Sequence, residues 1–241
     1  FRRVLFRSNN SDCGVLSINS NIFRGNTSTA INTGGFSGIE NSGEVQTRLN
    51  IDSNQIGDAL GDAITFSAAT STAIFGITSP GFGPGIAAGA SLSISNNNFQ
   101  GFKQTVAGTG SHFYIIYDHA PTGSTIDNVN GNTFTNLVAN TSGSVNFITR
   151  NGVLAASSVA TDNCNNNSII TAFSKPIAGG TVALYNFLSV SGGGINNVMN
   201  QLRNNFSNIT LTGATVMAGW NNVSGTANGP TKNINDNIFS N

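Results

Sequence analysis

A six-residue phrase recurs seven times along this 241-residue chain, and it restricts the fold more than any other feature. The phrase is an apolar residue, two spacers, Asn, one spacer, then Phe or Ile. Its first copies are Ile18-Asn19-Ser20-Asn21-Ile22-Phe23, Ile51-Asp52-Ser53-Asn54-Gln55-Ile56, Ile94-Ser95-Asn96-Asn97-Asn98-Phe99 and Val129-Asn130-Gly131-Asn132-Thr133-Phe134. Cys164-Asn165-Asn166-Asn167-Ser168-Ile169 and Ile234-Asn235-Asp236-Asn237-Ile238-Phe239 follow the same pattern. Between them a weaker copy ends in Asn204-Asn205-Phe206, with Gln201 at the apolar position and Leu202 beside it. The anchor Asn stands at 21, 54, 97, 132, 167, 204 and 237, in steps of 33, 43, 35, 35, 37 and 33.

The two apolar positions lie five apart, an odd number, so in one straight strand they face opposite sides. Both reach a core only if the chain bends between them. Asn is the non-glycine residue that most readily takes the left-handed conformation of such a corner. The phrase therefore reads as strand, Asn corner, strand. Each repeat also holds a second apolar run, such as Thr72-Ala73-Ile74-Phe75-Gly76-Ile77, His112-Phe113-Tyr114-Ile115-Ile116-Tyr117, Val145-Asn146-Phe147-Ile148 or Val182-Ala183-Leu184-Tyr185-Asn186-Phe187. Gly-rich breaks such as Gly192-Gly193-Gly194 separate these runs.

Two or three short strands per unit, no amphipathic helix and one repeated corner predict an all-β solenoid. The expected fold is a single-stranded parallel β-helix of six to seven coils, each of 33–43 residues. Stacked at about 4.8 Å per coil, six steps give a rod about 29 Å long. The unequal steps predict one corner with loops of varying length, the longest between anchors 54 and 97. A propeller would need four strands and a Trp-Asp signature in each blade, whereas the single Trp220 is followed by Asn. A sandwich would space its strands without an internal phrase. Residues 63–102 carry no charge, but Thr, Ser, Gly and Pro interrupt them, and no membrane span is expected.

Composition narrows the function classes. Charged residues are 8% of the chain, ten basic and ten acidic, against 37 Asn, 29 Gly and 5 Pro. That excludes a basic nucleic-acid binder, an acidic tail, a coiled coil and a collagen. Two Cys exclude a disulfide scaffold. Ile, Leu, Val and Phe total 63, enough for a core, and the 22 Ile against 11 Leu favour strand. Residues 1–8, Phe1-Arg2-Arg3-Val4-Leu5-Phe6-Arg7-Ser8, hold three of the ten basic residues and precede an abrupt change of texture at Asn9. They resemble the in-frame translation of a short-read sequencing adapter. The expectation is a non-native 1–8 segment followed by a β-helix domain over 9–241, truncated at its start and continuing past Asn241. Without 1–8 the formal charge is 7 − 10 = −3.

The phrase at coil length, in a Gly/Ser/Thr/Asn-rich chain, resembles the right-handed parallel β-helix repeats of large bacterial surface and secreted proteins. It is similar in texture to long repeat proteins of Bacteroidota. The resemblance covers 12–241 and brings no diagnostic active site. It implies an exported protein at the cell surface or outside the cell, with a structural or adhesive role and glycans or other cell-surface material as partners.

Known enzymes on this fold cut acidic polysaccharides, so an alternative is a polysaccharide lyase or glycoside hydrolase working in a groove along one sheet. The basic residues beyond position 8 (Arg24, Arg48, Lys103, Arg150, Lys175, Arg203 and Lys232) are scattered, one per coil or fewer. Asp58 with Asp62, or Glu40 with Glu44, could pair for acid–base chemistry but read as turn residues. The densest polar-aromatic cluster surrounds Asp118 and His119, the candidate catalytic residues, with His112 and Tyr117 nearby. Strict alternation would put His112, Tyr114, Ile116 and Asp118 on one face and Phe113, Ile115, Tyr117 and His119 on the other.

Asp52-Ser53-Asn54 and Asp127-Asn128 resemble parts of calcium loops without the Glu and Gly that complete one, so no cofactor or metal is assigned. Gly81-Phe82-Gly83-Pro84-Gly85 is not a phosphate loop, because no Lys-Ser/Thr follows it. Cys13 and Cys164 fall some four coils apart, too far for a disulfide, and Cys164 takes an inward apolar position. The reading favours a scaffold over an enzyme and leaves the oligomeric state open.

Overall fold

In a computed structural model the chain is a parallel β-solenoid of about six turns, with no helix among the described residues. Those residues are 3–8, 13–29, 35–60, 64–79, 86–152, 154, 158–188, 194–222 and 229–240; within 3–8 only Phe6 has a described side chain. Asp62 and the 81–85 segment lie outside them, as do residues 192 and 193.

Four parallel sheets run the length of the rod, so each full coil contributes four strands rather than the expected two or three. Sheet A stacks seven strands: Arg3–Ser8, Phe36–Asn41, Ile74–Ser79, His112–Asp118, Val145–Asn151, Thr181–Phe187 and Val216–Asn222. The four apolar runs read from sequence all fall here. Sheet B stacks Cys13–Ser17, Val45–Asn50, Ser91–Ser93, Ile126–Asn128, Thr161–Asn163, Val198–Leu202 and Thr231–Asn235. Sheet C holds two- and three-residue strands from Ile22–Phe23 to Ser168–Ile169, and bridges at Asn205 and Ile238 carry it onward. Sheet D holds six strands, from Thr27–Ser28 to Ile209–Leu211. The additional strands are mostly two or three residues long, although sheet D also holds Phe102–Gly108 and Leu137–Thr141.

The anchor phrase is the corner between sheets B and C. Its bend is left-handed at one residue in every coil, and that residue precedes the anchor. Ser20, Ser53, Asn96, Gly131, Asn166, Arg203 and Asp236 take φ of 59°, 59°, 57°, 65°, 57°, 55° and 58°. The sequence argument gave this conformation to the anchor Asn, and the structure moves it by one position. The anchor instead turns its amide inward.

Each buried anchor closes a fixed set of hydrogen bonds with the next coil. Nδ2 of Asn21, Asn54, Asn97, Asn132, Asn167 and Asn204 donates to Oδ1 of the following anchor at 2.9–3.1 Å. The same Oδ1 accepts the preceding anchor's backbone N–H at 2.9–3.0 Å. From Asn54 onward the second Nδ2 hydrogen goes to the carbonyl of the phrase's first residue one coil back, at 2.7–2.9 Å. Buried amides are costly unless paired, and here they are paired in full.

The bend also turns both apolar positions of the phrase inward, as the odd spacing demands. Ile51, Ile56, Ile94, Phe99, Val129 and Phe134 are all fully buried. Gln201, at the apolar position of the weak copy, is buried too, and its Nε2 finds no partner. Phe99 and Phe134 stack at 5.1 Å and 15°, while Phe134 meets Phe147 edge-on at 5.0 Å and 88°. Gly76 makes room for this column, since a Cβ there would fall 2.4 Å from the Phe99 ring.

The loop expectation needs a second correction. The step from sheet B to sheet C has one length in the first five coils (17 to 22, 50 to 55, 93 to 98, 128 to 133, 163 to 168). Length varies at the other corners, most between sheets A and B, where the connection ranges from 42–44 to 80–90. The ladder constrains one corner and leaves the others free. Among the described residues no helix is long and apolar enough to cross a membrane.

Phe134→Ala is expected to cost about 3–5 kcal/mol, because it removes a ring wedged between stacked neighbours and leaves a cavity in mid-rod. Urea unfolding of the variant reads this directly, and a midpoint close to wild type would contradict the packing described.

Candidate functional site

The residues singled out from sequence do not converge on a cleft. In the strand His112–Asp118 the consecutive residues Tyr114 and Ile115 both belong to the core, so strict alternation fails at the middle of sheet A. His112, Tyr114, Ile115, Tyr117 and His119 all end up buried. Asp118 stays half-buried on the other side, where its Oδ2 accepts from Asn151 Nδ2 at 3.3 Å. The two candidate catalytic residues therefore sit on opposite faces.

His119 joins an interior cluster that the sequence reading did not assemble. In sheet B the inward column reads Leu16, Leu49, Leu92, Asp127, Asp162 and Met199. In sheet A the facing column carries Tyr117, Arg150 and Phe187 in successive coils. Arg150 is fully buried, with its guanidinium 5.8 Å from the Tyr117 ring centre and 5.4 Å from that of Phe187. It lies 3.5 Å from Asp127 Oδ2 through Nη2 and 3.5 Å from Asp162 Oδ1 through Nε. Nη2 also donates to the His119 carbonyl at 3.0 Å, and Nη1 donates to that of Gly152.

Asp162 accepts the Tyr117 hydroxyl at 2.9 Å and the Tyr185 hydroxyl at 3.1 Å. His119 Nδ1 meets both Asp127 oxygens at 2.8 and 2.9 Å, and its Nε2 reaches the Ala87 carbonyl at 3.2 Å. Burial pushes the Asp162 carboxyl up, against the pull of Arg150. For Arg150, burial works against the charge, but Asp162, Tyr117 and Asp127 outweigh it and hold the guanidinium above its ordinary value. Burial and then Asp162 push the Cys164 thiol up, and both cysteines are free. Asp127, read from sequence as part of a calcium-like loop, is thus committed to His119 and Arg150 inside the rod.

Two further polar groups are buried nearby. Gln104 Oε1 accepts from His112 Nε2 at 2.6 Å, and Gln104 Nε2 donates to Thr70 Oγ1 at 2.8 Å. Burial, followed by the Lys175 ammonium, lowers the His112 pKa to about 3. Lys175 is itself buried, and its Nζ donates to the carbonyls of Thr141, Ile177 and Gly179 at 2.7, 2.6 and 2.7 Å. Among the described residues these side chains are buried, and their hydrogen bonds pin neighbouring coils together.

Asp58, Glu40 and Asp52 each have a partner of their own. Asp58 lies 3.6 Å from Arg24, and its proposed partner Asp62 is outside the described residues. Glu40 is buried and accepts from the Ser42 hydroxyl at 2.8 Å, and Glu44 is half-buried. Asp52 Oδ1 accepts from the Ser93 hydroxyl and the Ser95 N–H, each at 2.7 Å. No group of three or more His, Cys, Asp or Glu that could hold a metal occurs among the described residues.

Among the depressions open to a ligand, the one on the outer face of sheet B brings a charge together with hydroxyls and amides. A depression of about 450 Å³ crosses three coils there, lined among others by Arg48, Asn50, Ser91, Ser93, Ile126 and Asn128. Register explains the grouping: Arg48 pairs with Ser91, Asn50 with Ser93, and Ser93 with Asn128. Arg48 is exposed and has no ion-pair partner among the described residues. Thr125 Oγ1, in the same wall, is buried without a hydrogen bond. The lining offers one cation, several hydroxyls and amides, and an exposed Ile126, but no carboxylate. Compared with protein-family models, with curated proteins and with solved structures, the chain matches none.

Two outcomes follow for the interior. Arg150→Met should cost about 3–5 kcal/mol, because it strands two buried carboxylates, and urea unfolding at neutral pH measures it. His112 is held below its unfolded value of 6.5, so its contribution to stability is complete above pH 6.5 and is lost as pH falls toward 3. Between pH 7 and pH 4 the wild type should lose more stability than His112→Gln, and equal losses would contradict the assignment.

Proposed function

We propose that this chain is a rigid structural and adhesive segment that binds glycan or similar cell-surface material on the outer face of sheet B. The observation that carries this reading is the depression across three coils, where the unpaired Arg48 stands beside Asn50, Ser91, Ser93 and Asn128. Hydroxyl and amide groups around an exposed apolar side chain match the alternating polar edges and apolar faces of sugar rings. A free guanidinium adds a fork for a carboxylate or sulfate on such a ring. The solenoid supports the role mechanically: parallel ladders hold each coil to its neighbours, so the face is presented on a stiff body. Export to the cell surface of a bacterium belongs to this reading through the repeat resemblance.

The opposing reading, cleavage of polysaccharide along one sheet, would need an acid or base beside the cation. The test is a binding and degradation screen of the whole chain against neutral and acidic glycans, with and without Ca²⁺. Binding without turnover is expected, and Arg48→Ala should weaken acidic ligands about tenfold, as loss of a charge-assisted hydrogen bond would. Release of reducing ends or unsaturated sugars would overturn the proposal in favour of an enzyme.

A further inference from the structure

One outward column of sheet B is polar in all seven coils. Register aligns Ser17, Asn50, Ser93, Asn128, Asn163, Asn200 and Asn233 in a single file along the rod. From Asn128 onward the file links itself: Asn163 Nδ2 donates to Asn128 Oδ1 at 3.0 Å, Asn200 to Asn163 at 2.8 Å, and Asn233 to Asn200 at 2.8 Å. These bonds fix the plane of each amide. A primary amide has two N–H donors and two lone pairs on its oxygen. Each interior member, Asn163 and Asn200, thus spends one donor and one lone pair within the file and keeps one of each for a ligand. The neighbouring outward column over the same coils reads Ile126, Thr161, Val198 and Thr231, so neither column carries a charge there.

We infer that this amide file binds an extended, uncharged polysaccharide chain lying along the rod axis, one sugar to each coil. The inference rests on the glycan reading above and names the class of polymer. Its basis is spacing. Coils repeat at about 4.8 Å, whereas an extended peptide advances about 3.3 Å per residue and cannot place one residue on each coil. An extended, equatorially linked pyranose chain advances by nearly the coil step, and each ring brings a hydroxyl that both donates and accepts. Such a hydroxyl complements one free N–H and one free lone pair. Ile126 and Val198 stand beside the file as apolar contacts for ring faces. A glucan coiled into its own helix has neither the period nor the straightness to follow the file.

The experiment is calorimetric titration of the whole chain with cello-oligosaccharides, from the single sugar to the hexamer, alongside malto-oligosaccharides of equal length. Affinity should rise about 2- to 10-fold with each added sugar, the gain of one net hydrogen bond, and level off near the tetramer that spans Asn128 to Asn233. Asn163→Ala and Asn200→Ala, both outside the core, should each abolish the gain beyond the dimer while the variant still melts cooperatively, a few degrees below wild type at most. Equal affinity for monomer and tetramer, or for the malto- series, would overturn the period-matched site while leaving glycan binding in place. No binding to any glycan would overturn both readings. Sedimentation showing a dimer that Asn163→Ala dissolves would assign the file to a second copy of the chain and overturn the inference.

Discussion

The fold depends on a matching of valences at one corner. An asparagine amide placed inside a stack of identical amides can give one hydrogen to the next coil and the other to a carbonyl one coil back. Its oxygen can take two hydrogens in return. Asn97, Asn132, Asn167 and Asn204 do all of this, and none leaves a polar side-chain atom unpaired. Such a network is high in stakes: complete it specifies one geometry, and incomplete it would cost more than an apolar core. It sets the residue before it to a positive φ, and so decides where the chain bends. The bend in turn decides that both apolar residues of the phrase enter the core. Other corners carry no such ladder, which is why loop length varies there.

Inside this frame the interior is a set of columns, each contributed by one position per coil. Most are apolar, and the aromatic column through Phe99, Phe134 and Phe147 fills the middle of the rod. The exceptions fall mainly in the central coils. Asp127 and Asp162 replace Leu and Met in their column, and Arg150 fills the facing position between two rings. Buried ion clusters of this kind contribute little net stability compared with apolar residues of the same size, although removing one member is costly. What the cluster adds is connection, since Arg150 and His119 tie strands to carbonyls at Ala87, His119 and Gly152 that no ladder reaches.

Much of this was legible in the residues. The recurring phrase located the invariant corner and the apolar runs located sheet A, because both patterns repeat at coil length. The interior acids were legible in principle, since Asp127 and Asp162 stand five positions before their anchors, where the other copies have Leu16, Leu49, Leu92, Met199 and, in the last coil, Lys232. Arg150 was not, because the strand in which it lies bends at its centre and breaks the alternation that would have given its direction. A similar break in the neighbouring strand turns His112 and Tyr114 to the same side as Tyr117 and His119, while Asp118 stays opposite His119 as alternation expects. The face of sheet B escaped notice for another reason: spacing sets which side chains share a column, but not that Arg48 lacks an ion-pair partner among the described residues.

The two asparagine files differ in direction. Inside the rod the Nδ2 hydrogen that bridges two amides points to the later coil, and on the surface of sheet B it points to the earlier one. An amide carries a dipole along that bond, and dipoles aligned head to tail add, as they do along an α-helix. The buried file, at the corner between sheets B and C, and the surface file on sheet B thus run in opposite senses. From Asn128 to Asn233, therefore, the dipoles of the surface file offset part of what the buried file adds with each coil, so a longer stack of this kind gathers less partial charge at its ends.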